Sequence, residues 1–222
     1  MTITPRSRDP WAQAVTHLRQ VDGAWSALID HVGPCKLRPR KERFGTLVRA
    51  IIGQQISSKA AQSIDARLRL LAGDPHTPGA ILQVGEAGLR SVGLSGVKAR
   101  YVLNLSEAVA TGAVALQRIG RHSDEVIVEQ LTTIKGIGNW TAEMFLIFAL
   151  NRPDVLPVAD LGVRVALRNF HGLSELPGPA ECRALTEHLR PFRSVASWYL
   201  WRTFDTPKPP AVVVSPASAP PP

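Results

Sequence analysis

Cysteine is scarce in this chain. Cys35 and Cys182 are the two in 222 residues, too few for a four-ligand zinc or iron–sulfur centre and no basis for a disulfide framework. Six histidines are present, but none forms the i, i+4 pair that holds a metal on a helix, so they read as surface or satisfied core. No apolar run reaches the roughly 18 residues of a membrane span, and Met1 to Pro10 lacks the apolar core of a signal peptide. The expectation is a soluble, intracellular, cytoplasmic protein without membrane contact. Strand alternation and a fixed-period repeat are also missing, which excludes a sandwich, a barrel or a solenoid. Acidic residues are outnumbered, 18 against 26 Lys and Arg, for a net charge of +8. Such an excess calls for a polyanionic partner, nucleic acid before an anionic membrane.

What is present is mostly helical. The last sixteen residues, Pro207 to Pro222, are too rich in proline for helix or central strand and are expected to be a disordered tail. Removing them takes away only Lys208, so the remaining 206 residues keep a charge of +7. Phe44, Leu47, Val48, Ile51 and Ile52 make one apolar stripe at helical spacing. A helix capped by Ser57 or Ser58 follows, with Ile64, Leu68 and Leu71 on its buried face. Further helices are predicted around Val102 to Val109, after Ser123, from Thr141 to Leu150, from Asp160, through Cys182 to Leu189 and from Ser194 to Phe204, with an N-terminal one around Trp11 to Ile29. The fold class is all-α.

Two segments carry chemistry. In Leu131 to Leu150, a short amphipathic helix runs through Ile134-Lys135-Gly136-Ile137-Gly138 into a helix that is apolar on nearly every face. This is a helix–hairpin–helix, whose glycines leave backbone amides bare at a helix N-terminus, where an anion such as a DNA phosphate binds. The alternative is an ordinary glycine C-cap. Some twenty residues on, Leu156-Pro157-Val158-Ala159-Asp160 crosses a proline loop into a helix that opens on a carboxylate. On that feature alone Asp160 reads as an N-cap; glycine hairpin, buried helix, proline loop and Asp at this spacing are together far more specific.

Together these segments resemble the helix–hairpin–helix–Gly/Pro–Asp superfamily of DNA glycosylases, and within it the alkylbase branch, 3-methyladenine DNA glycosylase II. The resemblance runs from about Arg43 to Phe204 and includes Ile52-Gly53-Gln54-Gln55-Ile56-Ser57, the Gly93-Leu94-Ser95-Gly96 turn and Pro191-Phe192-Arg193-Ser194 leading to Trp201. It implies two packed helical subdomains with the hairpin at their cleft, one from about residues 9–42 plus 156–206 and the other from 43–155. It also implies a monomer that acts on double-stranded DNA, flips an alkylated purine out of the stack and hydrolyses its glycosidic bond to leave an abasic site.

The same resemblance makes Asp160 the catalytic carboxylate, able to stabilise an oxocarbenium-like sugar and orient water. Members that also cut the strand carry a lysine at the position of Trp140, where it forms a Schiff base; a tryptophan there implies a monofunctional enzyme unless Lys135 or Lys98 reaches the site. Trp140 and Trp201 would stack a cationic base, with Gln54 and Met144 completing the pocket. Gly136, Gly138, Thr141 and Lys135 would meet the DNA backbone, and Leu94 or Ser95 would fill the gap left by the flipped base. No cofactor is required, and a sodium or potassium ion could sit on the main-chain carbonyls of Thr132, Ile134 and Gly136. The basic run Lys36 to Arg43 could add phosphate contacts. The alternatives are a related glycosylase for uracil, mismatched thymine or oxidised guanine, and a non-catalytic DNA-binding module.

Overall fold

A computed structural model describes residues 10–205, so the proline-rich segment from Pro207 lies outside the described residues. Among the described residues there are twelve α-helices and no strand. The chain divides into two compact units, one made of the segments up to Leu37 and from Pro153, the other of Arg38–Arg152.

The first unit contains α1 (Ala12–Val21), α2 (Gly23–Val32), α10 (Leu161–His171), α11 (Pro179–Thr186), a 3-10 turn at Glu187–Leu189 and α12 (Arg193–Arg202). The N-terminal stretch that reads as one helix is two, because Asp22 leaves helical geometry and its Oδ1 accepts from the Ala24 amide at 2.8 Å, capping α2. Trp11, Trp25 and Trp198 are buried here, and the Trp11 indole N–H is satisfied by the Leu37 carbonyl at 2.9 Å. α12 is buried along almost its whole length. A salt bridge fastens its start: Arg193 donates to both carboxylate oxygens of Asp154, at 2.7 and 2.9 Å, while the Ser194 hydroxyl accepts from the Val155 amide. These bonds fix the far end of the proline loop that leads to Asp160.

The second unit contains α3 (Arg43–Gly53), α4 (Ser58–Ala72), α5 (Pro78–Ser91), α6 (Gly96–Ala110), α7 (Leu116–Ile119), α8 (Asp124–Thr132) and α9 (Asn139–Phe148). α3 is its hub, packing on α4, α6, α7 and α9 through Leu47, Val48, Ile51 and Ile52, all without solvent exposure. α4 is capped by Ser57, whose hydroxyl accepts from the Ala60 amide. Its buried positions are Leu68 and Ala72, one turn apart, which turns Leu71 outward to 48% exposure. α5 carries no clean apolar stripe and is broken at Gly85, where φ is 63°. The segment before Arg43 belongs with this unit: the Arg40 amide donates to the Phe148 carbonyl at 2.7 Å and its guanidinium lies over the Phe148 ring.

Candidate nucleic-acid interface and carboxylate site

The hairpin joins α8 to α9 through a turn closed by the Ile134 amide on the Leu131 carbonyl and the Ile137 amide on the Ile134 carbonyl. Gly136 has φ of +105°, and a Cβ there would fall 2.1 Å from the Tyr101 ring. Glycine is required at this point. Gly138 is the N-cap of α9 and supplies no side chain to the amides of the first turn, the arrangement in which a helix start receives an anion. Nothing lies within 4 Å of where its Cβ would be. Lys135 is exposed on the turn.

Several of the expected contacts are redirected. Gln54 does not offer its amide nitrogen to a base: Nε2 donates to the Gly136 carbonyl and to the Thr141 hydroxyl, both at 3.0 Å. Thr141 is 1% exposed and its hydroxyl is the acceptor of this internal bond, so a phosphate would meet its main-chain amide rather than its side chain. Met144 is buried on α9 and offers a ligand little surface. Of the carbonyls expected to hold a cation, that of Gly136 accepts from the Gln54 amide and that of Ile134 from the Ile137 amide, both at 3.0 Å, which leaves each oxygen a second lone pair. Leu94 is 5% exposed and packed in the core, which removes it as a duplex wedge. Ser95 is exposed but caps α6, its hydroxyl accepting from the Lys98 amide; the neighbouring Val97 is 47% exposed and Ile56 is 38% exposed.

The lysines have separate fates. Lys98 Nζ donates to the carbonyls of Ile52, at 2.7 Å, and Gln54, and burial pulls its ammonium below the usual lysine range. In the basic run, Arg43 is spent on the carbonyls of Leu116 and Gln117, while Lys36, Arg38 and Lys41 are exposed.

In the first unit the sequence loop Pro157–Asp160 ends in a turn closed by the Asp160 amide on the Pro157 carbonyl at 2.9 Å. Asp160 is the N-cap of α10. Its Oδ1 accepts from the Val163 amide at 2.8 Å and from the Trp201 indole N–H at 2.9 Å. Trp201 reaches it because position 162 is glycine: a Cβ there would stand 3.0 Å from Oδ1 and 3.2 Å from the indole Cδ1. The carboxylate is therefore aimed by a helix, an indole and a missing side chain. Trp140, second residue of α9, is half-exposed in the other unit.

Sequence reasoning weighed Lys98 only as a Schiff-base amine and missed its bonds to α3, along with Tyr101, Asn104 and Gly162. A signal existed for the first, since a lysine in the first turn of α6 opposes that helix's own dipole. Tyr101 and Asn104 follow at three-residue spacing, with Tyr101 beneath Gly136 and Asn104 donating to the Lys135 carbonyl at 3.1 Å.

Residues 48–191 match the family model described as HhH-GPD superfamily base excision DNA repair protein. The chain belongs to this superfamily. Among its HhH-GPD relatives is DNA-3-methyladenine glycosylase 1 of Schizosaccharomyces pombe, 38% identical over 197 residues that cover 86% of each chain. An alkylbase DNA glycosidase-like protein of the same yeast is 33% identical, covering 86% of this chain and 93% of the relative. A solved structure of S. pombe 3-methyladenine DNA glycosylase in complex with abasic DNA superimposes with a TM-score of 0.80 at 36% identity, covering 87% of this chain and 97% of the other. Among the described residues of this HhH-GPD protein, no helix is long and apolar enough to cross a membrane, and no cluster of three or more His, Cys, Asp or Glu could hold a metal ion.

Proposed function

We propose that this protein is a monofunctional DNA glycosylase that excises alkylated purines of the 3-methyladenine and 7-methylguanine type in base excision repair, acting as a monomer on duplex DNA. The observation that carries the reading is the Asp160 carboxylate, fixed on one oxygen by donors at 2.8 and 2.9 Å. The names of its relatives point the same way.

The chemistry follows from the substrate's charge. An alkylated purine is already cationic and leaves without a protein acid, so the chain must hold the duplex, take the base and stabilise the positive sugar that remains. The hairpin amides around Gly138 and the exposed Lys135 receive phosphate. Trp140, half-exposed after the hairpin, offers an indole face to a cationic base, and Trp201 donates its indole N–H to Asp160. Asp160 stabilises the oxocarbenium-like sugar electrostatically and orients the water that completes hydrolysis. With tryptophan rather than lysine after the hairpin, and Lys98 committed to carbonyls, water is the nucleophile and an intact abasic strand the product. Ser95, or the exposed Val97 beside it, would fill the gap left by the flipped base.

The test is release of methylated purines from methylated duplex DNA by wild type and by Asp160→Asn, with binding measured in parallel at fixed salt. Release by wild type alone, with binding by both, supports the reading. Binding by both with release by neither overturns it in favour of a binding module or another lesion.

A further inference from the structure

α3 ends without the usual glycine C-cap geometry. Gln54 follows it at φ −54° and Gln55 turns left-handed at φ 55°. The Ile51 and Gly53 carbonyls accept from the Gln54 and Ile56 amides, while the Ile52 carbonyl, and that of Gln54 just past the helix, take their donor from a different helix, Lys98. Its position is unfavourable for α6, because a cation in a first turn faces the positive end of the dipole, and favourable for α3, whose negative end it meets. A local rule is broken to satisfy a distant one.

The residue that Lys98 holds by its carbonyl is the residue that holds the hairpin. Gln54 Nε2 donates to the Gly136 carbonyl and to the Thr141 hydroxyl, which lie on either side of the Gly138 N-cap. α6 then continues the support on its next two turns, with the Tyr101 ring against Gly136 and Asn104 Nδ2 on the Lys135 carbonyl. Every one of these bonds consumes a carbonyl or a hydroxyl, and none takes an amide hydrogen of the turn. The turn is thereby held from its carbonyl side.

We propose that Lys98 is a positioning residue for DNA binding: its ammonium, seated on the Ile52 and Gln54 carbonyls, fixes the Gln54 amide that sets the hairpin for a phosphate. This rests on the reading of the hairpin as a phosphate site and is independent of which base is removed. The probe is a duplex oligonucleotide carrying an abasic-site analogue, bound over a series of salt concentrations by the full chain as wild type, Lys98→Met, Lys98→Arg, Gln54→Leu and the Lys98→Met/Gln54→Leu double variant. Thermal unfolding and hydrogen exchange at the Gly136 to Trp140 amides are followed alongside.

Lys98→Met is expected to bind about tenfold more weakly, the effect of losing one charge-assisted bond. Its slope of log K against log salt should stay close to that of wild type, because neutral hairpin amides hold the phosphate; a slope shallower by about 0.9 would make Lys98 itself a phosphate contact and overturn the proposal. Lys98→Arg should restore most of the affinity, the hairpin amides should exchange faster in Lys98→Met, and the double variant should be little worse than either single one. A lower melting temperature with unchanged affinity and exchange would make Lys98 a helix cap and overturn the proposal, as would additive effects in the double variant. Should Lys98→Met fail to fold, Gln54→Leu carries the same test, and an unchanged affinity there overturns it. Absence of base release by wild type would sink the glycosylase reading and leave these binding outcomes to decide the role of Lys98.

Discussion

The surroundings of the hairpin and of Asp160 use polar side chains in opposite ways. Around the hairpin, a cation and amides are turned onto main-chain oxygens: Lys98 on Ile52 and Gln54, Gln54 on Gly136, Asn104 on Lys135. Around Asp160 the donors are turned onto carboxylates, Trp201 and the Val163 amide on Asp160 and Arg193 on Asp154. The first arrangement covers negative ends of the backbone and leaves a surface suited to an anion. The second holds a negative charge in one orientation, as a developing sugar cation requires. One basic protein thus meets a polyanion and a carbocation with separate sets of bonds.

The comparison breaks most sharply at Asp160. Asp160→Asn keeps an N-cap oxygen for Val163, so stability should change by less than about 1 kcal/mol, while base release from methylated duplex falls by about 10³-fold or more. Loss of DNA binding instead would mean that the carboxylate belongs to the binding surface. On the other side, Gly136→Ala must push a Cβ into Tyr101 at a positive φ, and we expect about 2–4 kcal/mol of destabilisation by urea unfolding. Gly138→Ala, in open space at φ −99°, should cost under about 1 kcal/mol. Equal costs would refute the account of the turn. Between these extremes, Trp201→Phe removes one donor from Asp160 and should slow base release by about tenfold, the worth of a hydrogen bond to a charged group, with duplex affinity retained.

The parts legible in sequence were those that repeat a local rule. The α3 stripe, the Ser57 cap, the glycine hairpin and the Asp160 cap each follow from residue type and spacing. α5 was hidden because Gly79, Gly85 and Gly88 interrupt its pattern, and the α1–α2 break because Asp22 reads equally as helix surface. Side-chain direction was the larger gap. Gln54, Thr141 and Leu94 lie in the right segments, but Gln54 turns to partners 82 and 87 residues away, Gly136 and Thr141, and Leu94 is packed in the core. Spacing fixes a face of a helix; it does not say which carbonyl across the unit is waiting there.

The smallest effect expected separates the two units by acid. In the first, burial, and then the charge of His188, holds His171 below the usual histidine range; burial likewise lowers His188, where Asp22 pulls upward and His17 downward. A histidine harder to protonate when folded binds fewer protons than in the unfolded chain, so its contribution is intact above the unfolded value near 6.5 and is lost as pH falls through the lowered one. In the second unit burial would raise Asp65, but hydrogen bonds from His76 and Arg69 outweigh it and hold it below the usual range. Its stabilisation is present above a pH of about 4 and disappears only beneath it. Stability measured by urea unfolding should therefore decline gently between pH 7 and 5, and His171→Leu should flatten that decline, while Asp65→Asn should leave it unchanged and remove the further loss below pH 4. A decline between pH 7 and 5 that persists in His171→Leu and vanishes in Asp65→Asn would reverse the assignment of acid sensitivity between the units.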